Sequence, residues 1–328
     1  MTQELTANTK ATLLLTGPLI SGRDTRAQDL LTPGEFKRLE RRLGELRREP
    51  ADLISSDANS LIQECDDVVS SDRLEQLLGR SFLLGPVVES WQARSIWVTN
   101  RSDPQYPEAL YSKLGADAPA LLYGCGDRGL LETGGLAVVG SRNADPDAMA
   151  FAENVGSQAA SSGVTLVSGG ARGIDKMAMV GAANSGGNVV GVLADGLQGA
   201  AVNLDNREVL MQGTLCLVSP YDPNAGFNVG NAMQRNKFIY ALAQAGLVIS
   251  TDLDKGGTWS GAKEQLARFH FGPVFVRDVP GGSPGLDGLR AKGAILWPNP
   301  IDKGEFRKLL EQQRQADTFV GGSSVTLF

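Results

Sequence analysis

Two short segments at the centre of the chain constrain most of what it can fold into. In LAVVGSRNADPDAMAFAENVG an apolar run (136–139) stops at Gly140, Ser141 and Arg142, and a helical pattern opens at Pro146. In TLVSGGARGIDKMAM a second apolar run (164–167) stops at Ser168, Gly169 and Gly170, and another helical pattern follows Gly173. Glycine lets the backbone turn sharply at such crossings and brings N–H donors to an anion at a helix N-terminus. Consecutive βα units of this kind place their turns side by side at one edge of a parallel sheet. Each turn also holds an arginine, Arg142 and Arg172, whose guanidinium is a forked donor for phosphate oxygens. The pair reads as an edge built to hold phosphates.

The surrounding texture agrees with that fold. Apolar runs at 96–99, 120–123, 188–194, 214–219, 246–251 and 273–276 alternate with helical intervals, and most of the 40 glycines lie between them. Runs such as NVVGVLA and GLVIST are apolar throughout, as strands covered on both faces are. Right-handed crossovers then predict an α/β fold with a doubly wound, mostly parallel sheet. Residues 1–90 read as a small helical domain. The stretch 33–48 puts Phe36, Leu39, Leu43 and Leu46 at helical spacing, and 71–84 does the same with Leu74, Leu77 and Leu78. The pattern LLGRSFLLGPVVESW is compatible with a helix–turn–helix, with packing as the stronger alternative. The expected division is a helical N-terminal domain over 1–90, the sheet over 91–300, and a C-terminal helix with a Gly/Ser-rich tail over 301–328.

Composition narrows the function classes. A net charge of −6 excludes a nonspecific basic coat for nucleic acid but leaves room for a focused cleft. Cys65, Cys125, Cys216 and the single histidine, His270, show no ligand spacing, so no metal site is expected and the thiols read as free. The N-terminal apolar stretch is too short for a signal peptide and no run approaches a membrane span, which predicts a cytoplasmic protein. The first turn lacks the second glycine of G-x-G-x-x-G, the next strand ends without an acid, and no GxxxxGK[ST] occurs. Neither a dinucleotide nor any other cofactor is expected, and no residue reads as catalytic.

Two further patches fit a phosphate site. In NAMQRNKFIYAL, Asn231 and Gln234 resemble a capping pair, so a helix is predicted to start at Asn231. Arg235 and Lys237 would then crowd the positive end of that helix at a cost of about 0.3–1 kcal/mol each, which suggests that they serve a bound anion. Asn236 lies between them. Phe238 offers either a core side chain or a stacking face, the latter worth about 1–3 kcal/mol per base. After the run at 246–251, KGGTWSG adds another strand-to-helix turn with the hydroxyls of Thr258 and Ser260. Gly173 and Asp175 read as structural members of the pocket, Asp175 orienting Arg172 or bonding turn amides.

Taken in order, these motifs resemble the DNA-processing protein A (DprA/Smf) family over about residues 91–298. The resemblance rests on WVTNRSDPQYPEAL, LLYGCGD, VVGSR, LVSGGARGID, QRNKFIYAL, GGTWSGA and PVFV followed by Pro280 and Gly281. It implies an extended Rossmann-like sheet in a homodimeric, non-enzymatic protein. Such a protein binds single-stranded DNA and hands it to the RecA recombinase in DNA recombination and natural transformation. By motif match Gly140, Ser141, Arg142, Arg172, Arg235 and Lys237 take the DNA-pocket role. Ser168, Gly169, Gly170, Gln234, Asn236, Phe238, Thr258 and Ser260 complete the candidate set. The chain departs from the family at Met179, where histidine is usual, at Lys237, where RNR becomes RNK, and at Ser219 and Pro220, where SE-P is usual. Family members also occur in mobile elements and phage-defence loci. The alternative reading is therefore a sensor or antitoxin that binds nucleic acid or a nucleotide ligand and controls a toxin-like partner. A third reading, nucleotide hydrolysis at a PGGxGTxxE motif, fails on spacing, since KGGTWSGAKE ends in Glu264 out of register.

Overall fold

The computed structural model describes residues 4–19, 29–300 and 302–310. Of the segment expected to form a C-terminal helix and tail, 303–310 is helical and 311–328 lies outside the described residues. The apolar runs become β1 (Ile96–Asn100), β2 (Leu121–Gly126), β3 (Leu136–Gly140), β4 (Leu166–Ser168), β5 (Val189–Val192), β6 (Leu215–Ser219), β7 (Ala245–Ser250) and β8 (Val274–Val276). A two-residue β9 (Ile295–Leu296) joins at the edge, and the sequence reading has no strand there. Both of its residues are exposed although they are apolar.

These strands form one sheet in the order β1-β2-β6-β5-β4-β3-β7-β8-β9. β2 pairs antiparallel with both β1 and β6, and the other pairs are parallel. From β3 the chain steps outward through β4, β5 and β6, then returns to the other side of β3 with β7. In open α/β sheets the crevice beyond the carboxyl ends of strands at such a reversal is where ligands bind.

Among the described residues, five α-helices precede the sheet: α1 (Ala7–Thr16), α2 (Pro33–Glu45), α3 (Ala58–Glu64), α4 (Ser71–Leu78) and α5 (Leu84–Gln92). Thr32 starts α2 because its hydroxyl accepts from Glu35 N–H while the Glu35 carboxylate accepts from Thr32 N–H, with Pro33 pre-set at the first helical position. Phe36, Leu39 and Leu43 then meet Leu53, Leu61 and Leu74 in a core of their own. The predicted helix over 71–84 instead stops at Leu78, and a 3-10 turn (Gly79–Leu83) leads into α5. Leu13, Leu14 and Trp91 pack into the core of the sheet, and Asn100 donates to Thr12 Oγ1 at 2.8 Å across that seam.

Within the sheet region, α6 (Glu108–Leu114) joins β1 to β2, while α7 (Pro146–Ser161) and α8 (Ile174–Asn184) cross from β3 to β4 and from β4 to β5. α9 (Leu197–Ala201) and α10 (Leu204–Met211) lead to β6, α11 (Val229–Leu242) to β7, α12 (Gly256–Glu264) to β8 and α13 (Pro284–Arg290) to β9. Alternate strand residues separate the two faces. Val138, Leu247 and Ile249 pack with Ala152, Val155 and Ala178 of α7 and α8. Val139, Val167 and Val248 pack with Phe238 and Ile239 of α11 and Leu289 of α13. The sheet is doubly wound and buried on both sides.

Candidate functional site

The carboxyl ends of β3 and β7 frame a cavity of about 360 Å³. Its back wall forms because the β3–β7 register slips at Gly140, which leaves the Ser141 N–H to bond Ser250 O at 3.1 Å and Ser250 Oγ at 3.2 Å. Thr258 Oγ1 closes the other side by donating to Gly140 O at 2.9 Å. The two glycine turns are tied directly, with Ile174 N–H donating to Ser141 O at 3.3 Å. Gly173 makes that approach possible: it has φ +88°, and a Cβ there would stand 2.4 Å from Ser141 O.

The helix N-termini around the site differ in what they offer. α7 is already occupied, since Asp145 accepts from Ala148 N–H at 2.7 Å and Asp147 sits in its first turn. At α8, Asp175 accepts from Gly140 N–H at 3.3 Å and from the turn amides of Gly169 and Ala171. Neither α8 nor α12 has a side-chain cap at its start, but backbone carbonyls of Ser141 and Ala171 take the Ile174 and Lys176 N–H groups of α8, whereas Gly257 and Thr258 of α12 line the cavity. The phosphate-ready helix end therefore belongs to KGGTWSG rather than to either turn that first suggested one.

Beneath the cavity Arg235 and Asp175 form an ion pair at 3.8 Å, with side chains only 4% and 7% exposed. Burial pushes the Asp175 carboxyl up from its usual range, opposed by Arg235 and the three backbone N–H groups. Burial likewise lowers Arg235, with Asp175 opposing and Arg142 adding to the fall. Above them Arg142 is exposed at the mouth, its Cζ 4.8 Å from the centroid of the Phe227 ring. Lys255 and Asp252 complete the rim.

α11 corrects the sequence reading of its own start. The helix begins at Val229, capped by Asn228, whose Oδ1 accepts from Gly230 N–H at 2.7 Å and Asn231 N–H at 3.3 Å. Asn231 is thus inside the first turn, and Arg235 and Lys237 stand in the second and third turns, beyond reach of the positive end. Their placement follows from helical phase. Ala232, Asn236 and Tyr240, four residues apart, face the cavity with Arg235. Gln234, Lys237 and Phe238 face a second cavity of about 600 Å³, shared with Lys37 and Asp117.

The sequence-predicted residues therefore divide. Gly140, Ser141, Arg142, Arg235, Asn236, Thr258 and Ser260 line one cavity together with Asp175. Asn236 also bolts α11 to α12, donating to Gly257 O at 2.9 Å. Ser168 is fully buried and donates to Val138 O at 2.6 Å, while Gly169 lies under Arg235 and Gly170 is exposed beside Leu193. Arg172 points to the surface, where it donates to Asn143 Oδ1, so Asp175 serves Arg235 rather than Arg172. Phe238 is a core side chain at 6% exposure, with the Lys237 ammonium 5.2 Å from its ring centroid. Burial lowers Lys237, opposed by Asp117 and Glu264.

Sequence reasoning missed Phe227, Met233 and Tyr240, all of which line the first cavity, where Lys255 of the KGGTWSG turn joins them. Phe227 had a signal: an aromatic side chain isolated in the turn-rich run YDPNAGFNVG has no core to enter. Among the described residues no group of three His, Cys, Asp or Glu side chains is placed to hold a metal, and no helix is long and apolar enough to cross a membrane.

Comparison with known proteins places this architecture. Residues 97–281 match the family model for DNA recombination-mediator protein A. Protein Smf of Escherichia coli (strain K12) is 32% identical over 203 residues, covering 60% of this chain and 52% of that protein. DNA processing protein DprA of Bacillus subtilis (strain 168) is 28% identical over 186 residues, covering 55% of this chain and 60% of that protein. The chain thus spans a little over half the length of these curated relatives. Its fold is similar to the X-ray structure of DNA processing protein A from Streptococcus pneumoniae, with TM-score 0.66 and 21% identity over 93% of this chain and 98% of that one. The DNA processing protein A of Helicobacter pylori aligns with TM-score 0.54 and 23% identity, over 67% of this chain and 98% of that one. With the family model matching more than half of its length, this chain belongs to the DNA recombination-mediator protein A family.

Proposed function

We propose that this protein binds single-stranded DNA at the cavity between β3 and β7 and presents the strand to a RecA-type recombinase. In this reading it works as a homodimer in the cytoplasm and binds rather than transforms its ligand. The observation that supports this best is the pairing of Arg142 with the exposed Phe227 at the cavity mouth, facing the uncapped start of α12. A phosphate would take the Arg142 guanidinium and the N–H groups of α12, while the Phe227 ring offers a face to a base. Single strands suit such a site because their bases are free to stack, and the Helicobacter pylori relative is described with a single-stranded DNA binding mode.

Fluorescence anisotropy of a single-stranded oligonucleotide across a salt series tests the proposal. Wild type should bind with a steep salt dependence, and Arg142→Ala should weaken binding and reduce the logarithmic salt slope by about 1. Equal affinity and slope in the two proteins would remove the cavity as the DNA site.

A further inference from the structure

The cavity floor holds more donors than a passing strand needs. Arg235 and Tyr240 both line it and are 4% and 5% exposed. Arg235 Nε and Nη1 and the Tyr240 hydroxyl have no hydrogen-bond partner among the described residues. Asp175 does not satisfy the arginine, since 3.8 Å is an ion-pair distance and its own oxygens receive backbone N–H groups. Native proteins leave fewer than roughly one in ten buried polar groups unmet. Donors aimed at nothing, on two residues of one helix and in one cavity, point to an acceptor-rich ligand.

The size of the cavity limits what that ligand is. At about 360 Å³ it lies at the low end of the roughly 300–1,000 Å³ span of small-molecule sites, with room for one nucleotide. An internal phosphodiester has two ester arms, so its chain would have to enter and leave by the same mouth. A terminal phosphomonoester has one arm, three unesterified oxygens and a charge of roughly −1.5 to −2 at neutral pH. We propose that the floor of the cavity recognises the terminal phosphate of a DNA strand, with Arg235 and Tyr240 as its deepest donors. This rests on the reading of the cavity as the DNA site and adds that the site selects strand ends.

Oligonucleotides of one sequence, labelled at an internal base, test it in four forms: 5′-phosphorylated, 3′-phosphorylated, hydroxyl at both ends, and circularised. Wild type should bind one of the phosphorylated forms about tenfold more tightly than the circle. Tyr240→Phe, which keeps the ring and its packing, should erase that preference. Arg235→Lys should erase it as well, and its folding is checked by circular dichroism. Equal and tight binding of all four forms would overturn the end selection and leave the DNA site standing. Failure of every form to bind would overturn both. Displacement by a free deoxynucleoside monophosphate, with no preference among the four strands, would overturn the strand end as the source of the phosphate.

Discussion

The guanidinium of Arg235 occupies the space that a side chain on Gly169 would fill: a Cβ built there would stand 1.4 Å from Arg235 Nη1. The second glycine turn therefore serves the site indirectly. Its missing side chain is what allows a buried arginine from α11 to reach beneath β3.

Gly169→Ala should displace Arg235 rather than strain the turn, because Gly169 is not among the positive-φ glycines. Overpacking of this kind costs about 1–3 kcal/mol. Chemical denaturation should show that loss, and single-stranded DNA affinity should fall with it. Full stability in the variant would mean that the arginine has another place to go.

Asp175→Asn keeps the shape of the carboxylate and removes its charge. Breaking a buried pair by neutralising one partner costs about 3–5 kcal/mol, because the other charge stays buried. Urea unfolding should register a loss of that size, and adding Arg235→Met should recover much of it. A loss below about 1 kcal/mol in the single variant would show that the pair is not buried in solution.

Much of this arrangement was legible in the sequence. Continuous apolar runs at 136–139 and 246–251 announced strands covered on both faces, and glycines after them announced the turns. The grouping of side chains was harder to read. Arg235 and Lys237 are two residues apart in a helix, and that spacing sends them to opposite faces and into separate cavities. Placing the helix start at Asn231 rather than at Asn228 put both charges at the positive end of the helix, because both asparagines are plausible caps. Tyr240 is buried, and only the packing around it shows that its hydroxyl lacks a partner.

The separation of the two cavities makes a prediction of its own. Arg142→Ala and Lys237→Ala should have independent effects on single-stranded DNA affinity, adding within about 0.5 kcal/mol in a double-mutant cycle. A coupling above about 1 kcal/mol would mean that both side chains hold the same phosphate.

The helical region should respond to acid through Glu35. Hydrogen bonds from Arg73 at 2.8 Å and from the Thr32 backbone at 2.8 Å hold its carboxyl down to about 2, against an ordinary 4.5. A folded-state value below the unfolded one stabilises fully above about pH 4.5 and loses that contribution as pH falls toward 2. Wild type and Glu35→Gln should therefore differ in stability at pH 7 and converge between pH 4.5 and 2, as followed by denaturation at each pH. A difference that stays constant over that window would exclude the ionised Glu35 as the source.

The central claim is that a DNA strand enters the cavity between β3 and β7. Ultraviolet crosslinking of a halogenated single-stranded oligonucleotide, mapped by mass spectrometry, tests it most directly. The account predicts crosslinks at Phe227 and on the α11 peptide around Met233 and Tyr240, lost when Arg142 is replaced by alanine. Crosslinks confined to the helices before β1, or to α9 and α10, would contradict it.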